Sequence, residues 1–169
     1  CAGLLRGKFV CDLADAGDAG TSGVGYFVYT DAINYVGLHE IAQLLADCGY
    51  PDGERLLKEA QEYRRDIIAA VDRLTDKSQD PWYVPWALHA PKHVSRYYYD
   101  VCGPINLAFS CGSGGVLSRD DEYIQHVIRW IVDRTHHGSL EETAAGVAAL
   151  VLNDGSAFYT QDLAMTLLE

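Results

Sequence analysis

The chain has 169 residues, of which 49% are hydrophobic, and this is enough for one ordinary domain with a buried core. Its 24 acidic and 13 basic side chains give a net charge of −11. Nucleic acids and anionic membrane surfaces would repel such a chain, and no run approaches the roughly 20 apolar residues of a membrane helix. We therefore expect a globular domain whose partners are neutral or cationic small molecules.

The ends and the cysteines restrict the interpretation further. The chain begins at Cys1 and ends at Glu169 inside a helix-like run, so we interpret it as a fragment or a processed piece.

Cys48 lies on an apolar helix face and is expected in the core. No C-x-x-C spacing indicates a zinc knuckle or a redox pair, and both the pairing of the other cysteines and the compartment stay open. Those cysteines are Cys1, Cys11, Cys102 and Cys111.

The first 30 residues are rich in glycine and predict an irregular lead-in. Asp31 is a suitable N-cap for a first helix, which Gly49 and Pro51 would end. Its predicted apolar face consists of Ile33, Val36, Ile41, Leu44, Leu45 and Cys48.

A second helix is predicted after the short turn at residues 49–53, so the two helices should form an antiparallel hairpin. Its apolar residues recur at spacings of three and four, with charged residues on the other side. They are Leu56, Ala60, Tyr63, Ile67, Val71 and Leu74.

Further helix starts follow. Pro104 suits the first position of a short helix, and Ser118 with Asp121 resembles a capping box for a helix to about residue 134. Ser139 begins an alanine-rich stretch, and Tyr159 begins the last helical run. The predicted fold class is all-α, with two helical hairpins and half of a third in a domain over residues 31–169.

Short turns alternate with long loops along this order. The long loops cover about residues 75–100 and 135–156 and are rich in aromatic, histidine and carboxylate side chains. If helices alternate in direction, both long loops emerge at the same end, which would be the working face of the domain.

Four runs in these helices and loops resemble a known family. They are Tyr-Thr-Asp-Ala-Ile-Asn-Tyr-Val-Gly-Leu at 29–38, Glu-Ala-Gln-Glu-Tyr-Arg at 59–64, Tyr-Asp-Val-Cys-Gly-Pro at 99–104 and Ile-Arg-Trp-Ile at 128–131. Together they resemble the six-hairpin glycosidase superfamily over most of residues 26–169. The resemblance implies an (α/α)6 toroid, of which this chain would form about half, with substrate bound where the inner helices begin. The remaining hairpins, or another chain, would then be a partner.

The resemblance also implies a carbohydrate site at that end, because the inner helices would begin at Asp31, Pro104 and Tyr159. The substrate-binding candidates there are Tyr29, Trp82, Trp86, His89, Tyr97, Tyr99, His136, Tyr159 and Gln161. Indole rings stack on the apolar faces of sugars. In the alternative interpretation, Trp82 and Trp86 attach the long loop to its own domain.

Glycoside hydrolysis needs two carboxyl groups across the scissile bond. The candidates at the expected site are Asp31, Asp100, Glu141 and Asp162. Each alternative role is structural: Asp31 and Asp100 can cap helices, and Glu141 can decorate a first turn.

Other chemistries are poorly supported. His39-Glu40 lacks the second histidine of a zincin helix, and residues 112–115 lack the ending of a phosphate loop. We therefore expect no metal and no cofactor. The leading hypothesis is a portion of a glycoside hydrolase acting on an oligo- or polysaccharide. The alternative is a non-catalytic helical module that binds a glycan or a protein through the aromatic loop face.

Overall fold

The computed structural model describes residues 3–4, 7–8, 24–88, 104–108 and 115–130. The three helices of this part are α1 (Val28–Asp47), α2 (Gly53–Leu74) and α3 (Glu122–Trp130). Within the described residues, the strands are β1 (Gly7–Lys8) and β2 (Val24–Gly25), which pair antiparallel with Gly7 opposite Gly25. The predicted all-α class is confirmed for the described residues.

Helices α1 and α2 form the predicted antiparallel hairpin. Near the turn, the backbone of Gly53 lies so close to α1 that a β-carbon there would come within 2.4 Å of the Ala46 nitrogen. At the other end, Tyr63 of α2 reaches Asp31 of α1. Helix α1 ends at Asp47, and the predicted stop, Gly49, follows two residues later with a φ of +72° that favours glycine.

The start of α1 differs from the prediction. The helix begins at Val28, and the residue before it, Phe27, has an extended backbone and no capping side chain. Asp31 lies within the first turn and is therefore not the N-cap. The start is set instead by an antiparallel bridge between Phe27 and Ala87.

The buried face of α1 also differs from the prediction. Val36 is buried as expected, but Ile41 is 59% exposed and Leu44 is 63% exposed. Cys48 is exposed as a free thiol, so its expected place in the core is wrong. The other four cysteines lie outside the described residues.

Helix α2 follows its prediction closely. Ala60, Ile67 and Val71 are buried, and Leu56, Tyr63 and Leu74 are half-buried. All of these side chains except Leu56 belong to, or pack against, a core with contributions from all three helices and from the connecting segments. Its members include Val28, Val36, Val84, Ile105, Leu107, Val116, Ile124 and Val127.

Two predicted helical segments after the hairpin lie partly within the described residues. Residues 104–108 form a single helical turn, in which the Leu107 amide donates to the Pro104 carbonyl at 3.0 Å. Helix α3 begins later than Ser118. Its cap is Asp121, whose Oδ1 accepts the Tyr123 amide at 3.0 Å. The predicted segments starting at Ser139 and Tyr159 lie outside the described residues.

Candidate functional site

The loop that follows α2 returns to the beginning of α1. The Val28 amide donates to the Trp86 carbonyl at 3.0 Å, and the Leu88 amide donates to the Tyr26 carbonyl at 2.8 Å. We call the end of the hairpin where α1 begins and α2 ends the mouth. The described part of the long loop, residues 75–88, therefore lies at the mouth, as the alternation of helices predicts.

A buried carboxylate lies just inside the mouth. Asp31 is fully buried, and its Oδ1 accepts a hydrogen bond of 2.6 Å from the Tyr63 hydroxyl. Burial, followed by the hydrogen bond to Asp31, raises the pKa of Tyr63 well above its ordinary value of 10.0. The phenol therefore stays protonated and remains a donor to Asp31 throughout the physiological pH range.

Trp86 belongs to the core of the mouth. Its side chain is fully buried and stacks on Phe27, with ring centroids 5.5 Å apart and an angle of 26° between the planes. The ring offers no exposed face to a sugar in this structure. Its position fits the alternative interpretation, in which it attaches the loop to the domain.

Trp82 is held by α3. Its ring stacks on His126 with centroids 4.1 Å apart and planes only 2° from parallel. Its backbone N–H also donates to His126 Nδ1 at 2.9 Å. The same nitrogen lies 3.8 Å from Asp80 Oδ1.

An exposed ionic cluster joins the end of α2 to α3, and we call its three residues, Asp72, Lys77 and Tyr123, the clasp. The Lys77 ammonium donates to Asp72 at 2.6 Å and to the Tyr123 hydroxyl at 2.9 Å. The Tyr123 hydroxyl also donates to Asp72. The hydrogen bond from Lys77 is the main cause that lowers the pKa of Asp72 below its ordinary value, so this carboxylate is ionised at neutral pH.

The structure places only some of the predicted site residues. Asp31, Tyr29, Trp82 and Trp86 lie at the mouth, where Tyr29 is half-buried in the first turn of α1. The remaining candidates lie outside the described residues. They are His89, Tyr97, Tyr99, Asp100, His136, Glu141, Tyr159, Gln161 and Asp162.

Two polar partners at the mouth differ from the prediction. Tyr63 is predicted only on an apolar face and His126 without a role, but each makes a hydrogen bond with a mouth residue. The only available signal was a polar tip on a side chain at a core position. Among the described residues, no group of three or more potential ligands is arranged to hold a metal ion.

None of the helices in the described ranges is both long and apolar enough to cross a membrane. Comparisons of the chain with models of known protein families, with curated proteins and with solved structures found no match.

Proposed function

We propose that the chain is a portion of a carbohydrate-active enzyme of the (α/α)6 toroid type, a glycoside hydrolase that cleaves an oligo- or polysaccharide with paired carboxylates. The observation that carries the proposal is the arrangement of the mouth. The long loop returns to the beginning of α1, beside a buried carboxylate that a tyrosine holds from the facing helix.

Asp31 has a positioning role in this proposal. Its carboxylate is fully buried and bonded to Tyr63, so it has no surface with which to touch a sugar. Asp31 and Tyr63 instead hold α1 and α2 together directly behind the mouth. The acid and base are assigned to Asp100 and Asp162, and Glu141 is the reserve candidate.

The alternative function, a non-catalytic module that binds through the aromatic loop face, has less support. Trp86 is fully buried, and one face of Trp82 is covered by His126. These two rings serve packing within the domain. A binding module would need other aromatic side chains for its ligand.

The proposal is tested with Asp100→Asn and Asp162→Asn in the full chain, joined to any further hairpins that its gene encodes. We expect each variant to lose at least about 100-fold in kcat on the best glycoside, because positioned acid–base groups typically contribute this much or more. The measurement is the release of reducing ends from a panel of polysaccharides. Asp120→Asn is the matched control, since Asp120 is an exposed aspartate just before α3 and is not a candidate site residue.

Two results would reject the proposal. One is unchanged turnover in both Asn variants. The other is saturable glycan binding by the parent protein with no product from any substrate in the panel, which would favour the binding module.

A further inference from the structure

An open groove runs along one side of the hairpin, between α1 and α2, with a volume of about 760 Å³. We call it the flank groove. Residues on both of its walls include Gly37, Leu38, Ile41, Glu59, Glu62 and Asp66. Gly3, from the segment before β1, also lines the groove and lies against the Asp66 carboxylate.

The α1 wall of the flank groove is apolar and easily approached. Ile41 is 59% exposed, and Leu44, one turn further along, is 63% exposed. A β-carbon on Gly37 would have no atom within 4 Å, so the backbone at this point faces open space. A helix laid over Gly37 can therefore approach α1 closely, within the usual 8–10 Å between packed helix axes.

The α2 wall is acidic. Glu59, Glu62 and Asp66 follow one another at spacings of three and four, so their carboxylates lie along one edge. None of the described residues that line the flank groove is Lys or Arg. Arg55 and Arg65, which pair with Glu59 at 2.5 Å and Glu62 at 3.7 Å, lie outside its lining.

We propose that the flank groove is a docking surface for an amphipathic helix of a partner protein, with an apolar stripe bordered by Lys or Arg on one side. The stripe would cover the α1 wall, and the basic border would face Glu62 and Asp66. From Ile33 to Ile41 the apolar wall extends about 12 Å, which matches about two turns of a helix. A second copy of this chain is disfavoured, because two molecules with net charges of −11 repel each other.

The test uses a fluorescent, amidated peptide of about 15 residues with leucine on one helical stripe and lysine along its border. Its Kd for the full chain is measured by anisotropy at about 0.15 M salt. We expect Gly37→Leu to weaken binding at least tenfold, because the new side chain fills the groove. This variant should stay folded, since leucine is a better helix former than glycine and its β-carbon would meet no atom within 4 Å.

Charge is tested separately. Glu62→Lys combined with Asp66→Lys should weaken binding at least tenfold and should favour a peptide in which glutamate replaces lysine. Glu40→Lys combined with Glu54→Lys is the matched control, because it changes the net charge equally at exposed positions outside the groove lining. Thermal unfolding of each variant verifies that it is folded.

Three outcomes would overturn the proposal. In the first, a scrambled peptide of the same composition binds as tightly as the striped one. In the second, the Kd of the peptide for Gly37→Leu stays within twofold of its Kd for the parent. In the third, both charge-reversed pairs weaken binding equally, which would indicate attraction to the acidic protein as a whole.

Discussion

At the scale of single residues, the hydrogen bond from Tyr63 to Asp31 is expected to contribute to the stability of the fold. Tyr63→Phe removes the hydroxyl that donates to the fully buried carboxylate and leaves the ring in place. We expect a loss of about 1–3 kcal/mol in the free energy of unfolding, as for other hydrogen bonds to charged or buried groups. The loss in the free energy of unfolding is measured by urea denaturation. A loss below about 0.5 kcal/mol would mean that this bond does not hold the mouth together.

The same residue predicts a dependence on alkaline pH. The pKa of Tyr63 is raised in the folded protein, mainly by burial, whereas the unfolded chain releases this proton near pH 10.0. Above that pH the unfolded state binds fewer protons than the folded state, so stability falls as pH rises. The parent should therefore lose stability more steeply above pH 10 than Tyr63→Phe. Parallel curves for the two proteins would contradict this explanation.

His126 makes a second residue-scale prediction. His126→Phe keeps an aromatic ring for Trp82 to stack on but removes the acceptor for the Trp82 amide. An unpaired amide in this half-buried position should cost about 1–3 kcal/mol of stability. His39→Phe is the matched control, because His39 lies on the α1 surface with 37% of its side chain exposed. Equal effects of the two substitutions in urea denaturation would show that the Nδ1 acceptor is unimportant.

At the scale of elements, two helical glycines should respond to the same change with opposite signs. Gly53→Ala would place a β-carbon 2.4 Å from the Ala46 nitrogen, so the α1–α2 turn must open. We expect a loss of about 1–3 kcal/mol. Gly37→Ala meets no atom and should instead stabilise α1 by about 0.5–1 kcal/mol. The denaturation midpoints of both variants measure this difference, and effects of the same sign would refute the packing described at the turn.

How far the sequence determines each helix differs between α1 and α2. In α2, apolar and charged residues occupy separate faces, so the burial of Ala60 and Ile67 could be predicted. In α1, apolar residues occur on all sides of the helix, so periodicity alone could not show that Ile41 is exposed while Asp31 is buried. The start of α1 was also missed, because it depends on the pairing of Phe27 with the distant Ala87 and not on a local cap.

The position of the described loop could be predicted, but the contacts of its aromatic side chains could not. The alternation of short turns and long loops correctly placed residues 75–88 at the beginning of α1. It could not show that Trp86 is buried or that Trp82 stacks on His126, because both depend on contacts between residues far apart in the chain. An aromatic side chain in a long loop has the same sequence signature whether it binds a ligand or packs against its own domain.

At the scale of the whole molecule, the net charge of −11 predicts how salt affects stability. Excess negative charge destabilises the compact state, and added salt screens this repulsion within a Debye length of about 10 Å at 0.1 M. We expect the Tm to rise by a few degrees when NaCl is increased from about 20 to about 300 mM. A Tm that falls over this range would mean that attractive ion pairs dominate.

The clasp opposes this trend, because its exposed attraction between Lys77 and Asp72 is weakened by salt. Lys77→Met removes that attraction, so the Tm of this variant should rise more with salt than the Tm of the parent. Part of the difference comes from the added unit of negative charge. Lys58→Met makes the same charge change at an exposed position with no ion pair to another described residue, and it serves as the control. The Tm of each variant is measured by calorimetry at both salt concentrations. If the Tm of Lys77→Met rises more with salt than the Tm of Lys58→Met, the difference is due to the clasp. Equal rises would mean that the clasp contributes nothing measurable to joining α2 to α3.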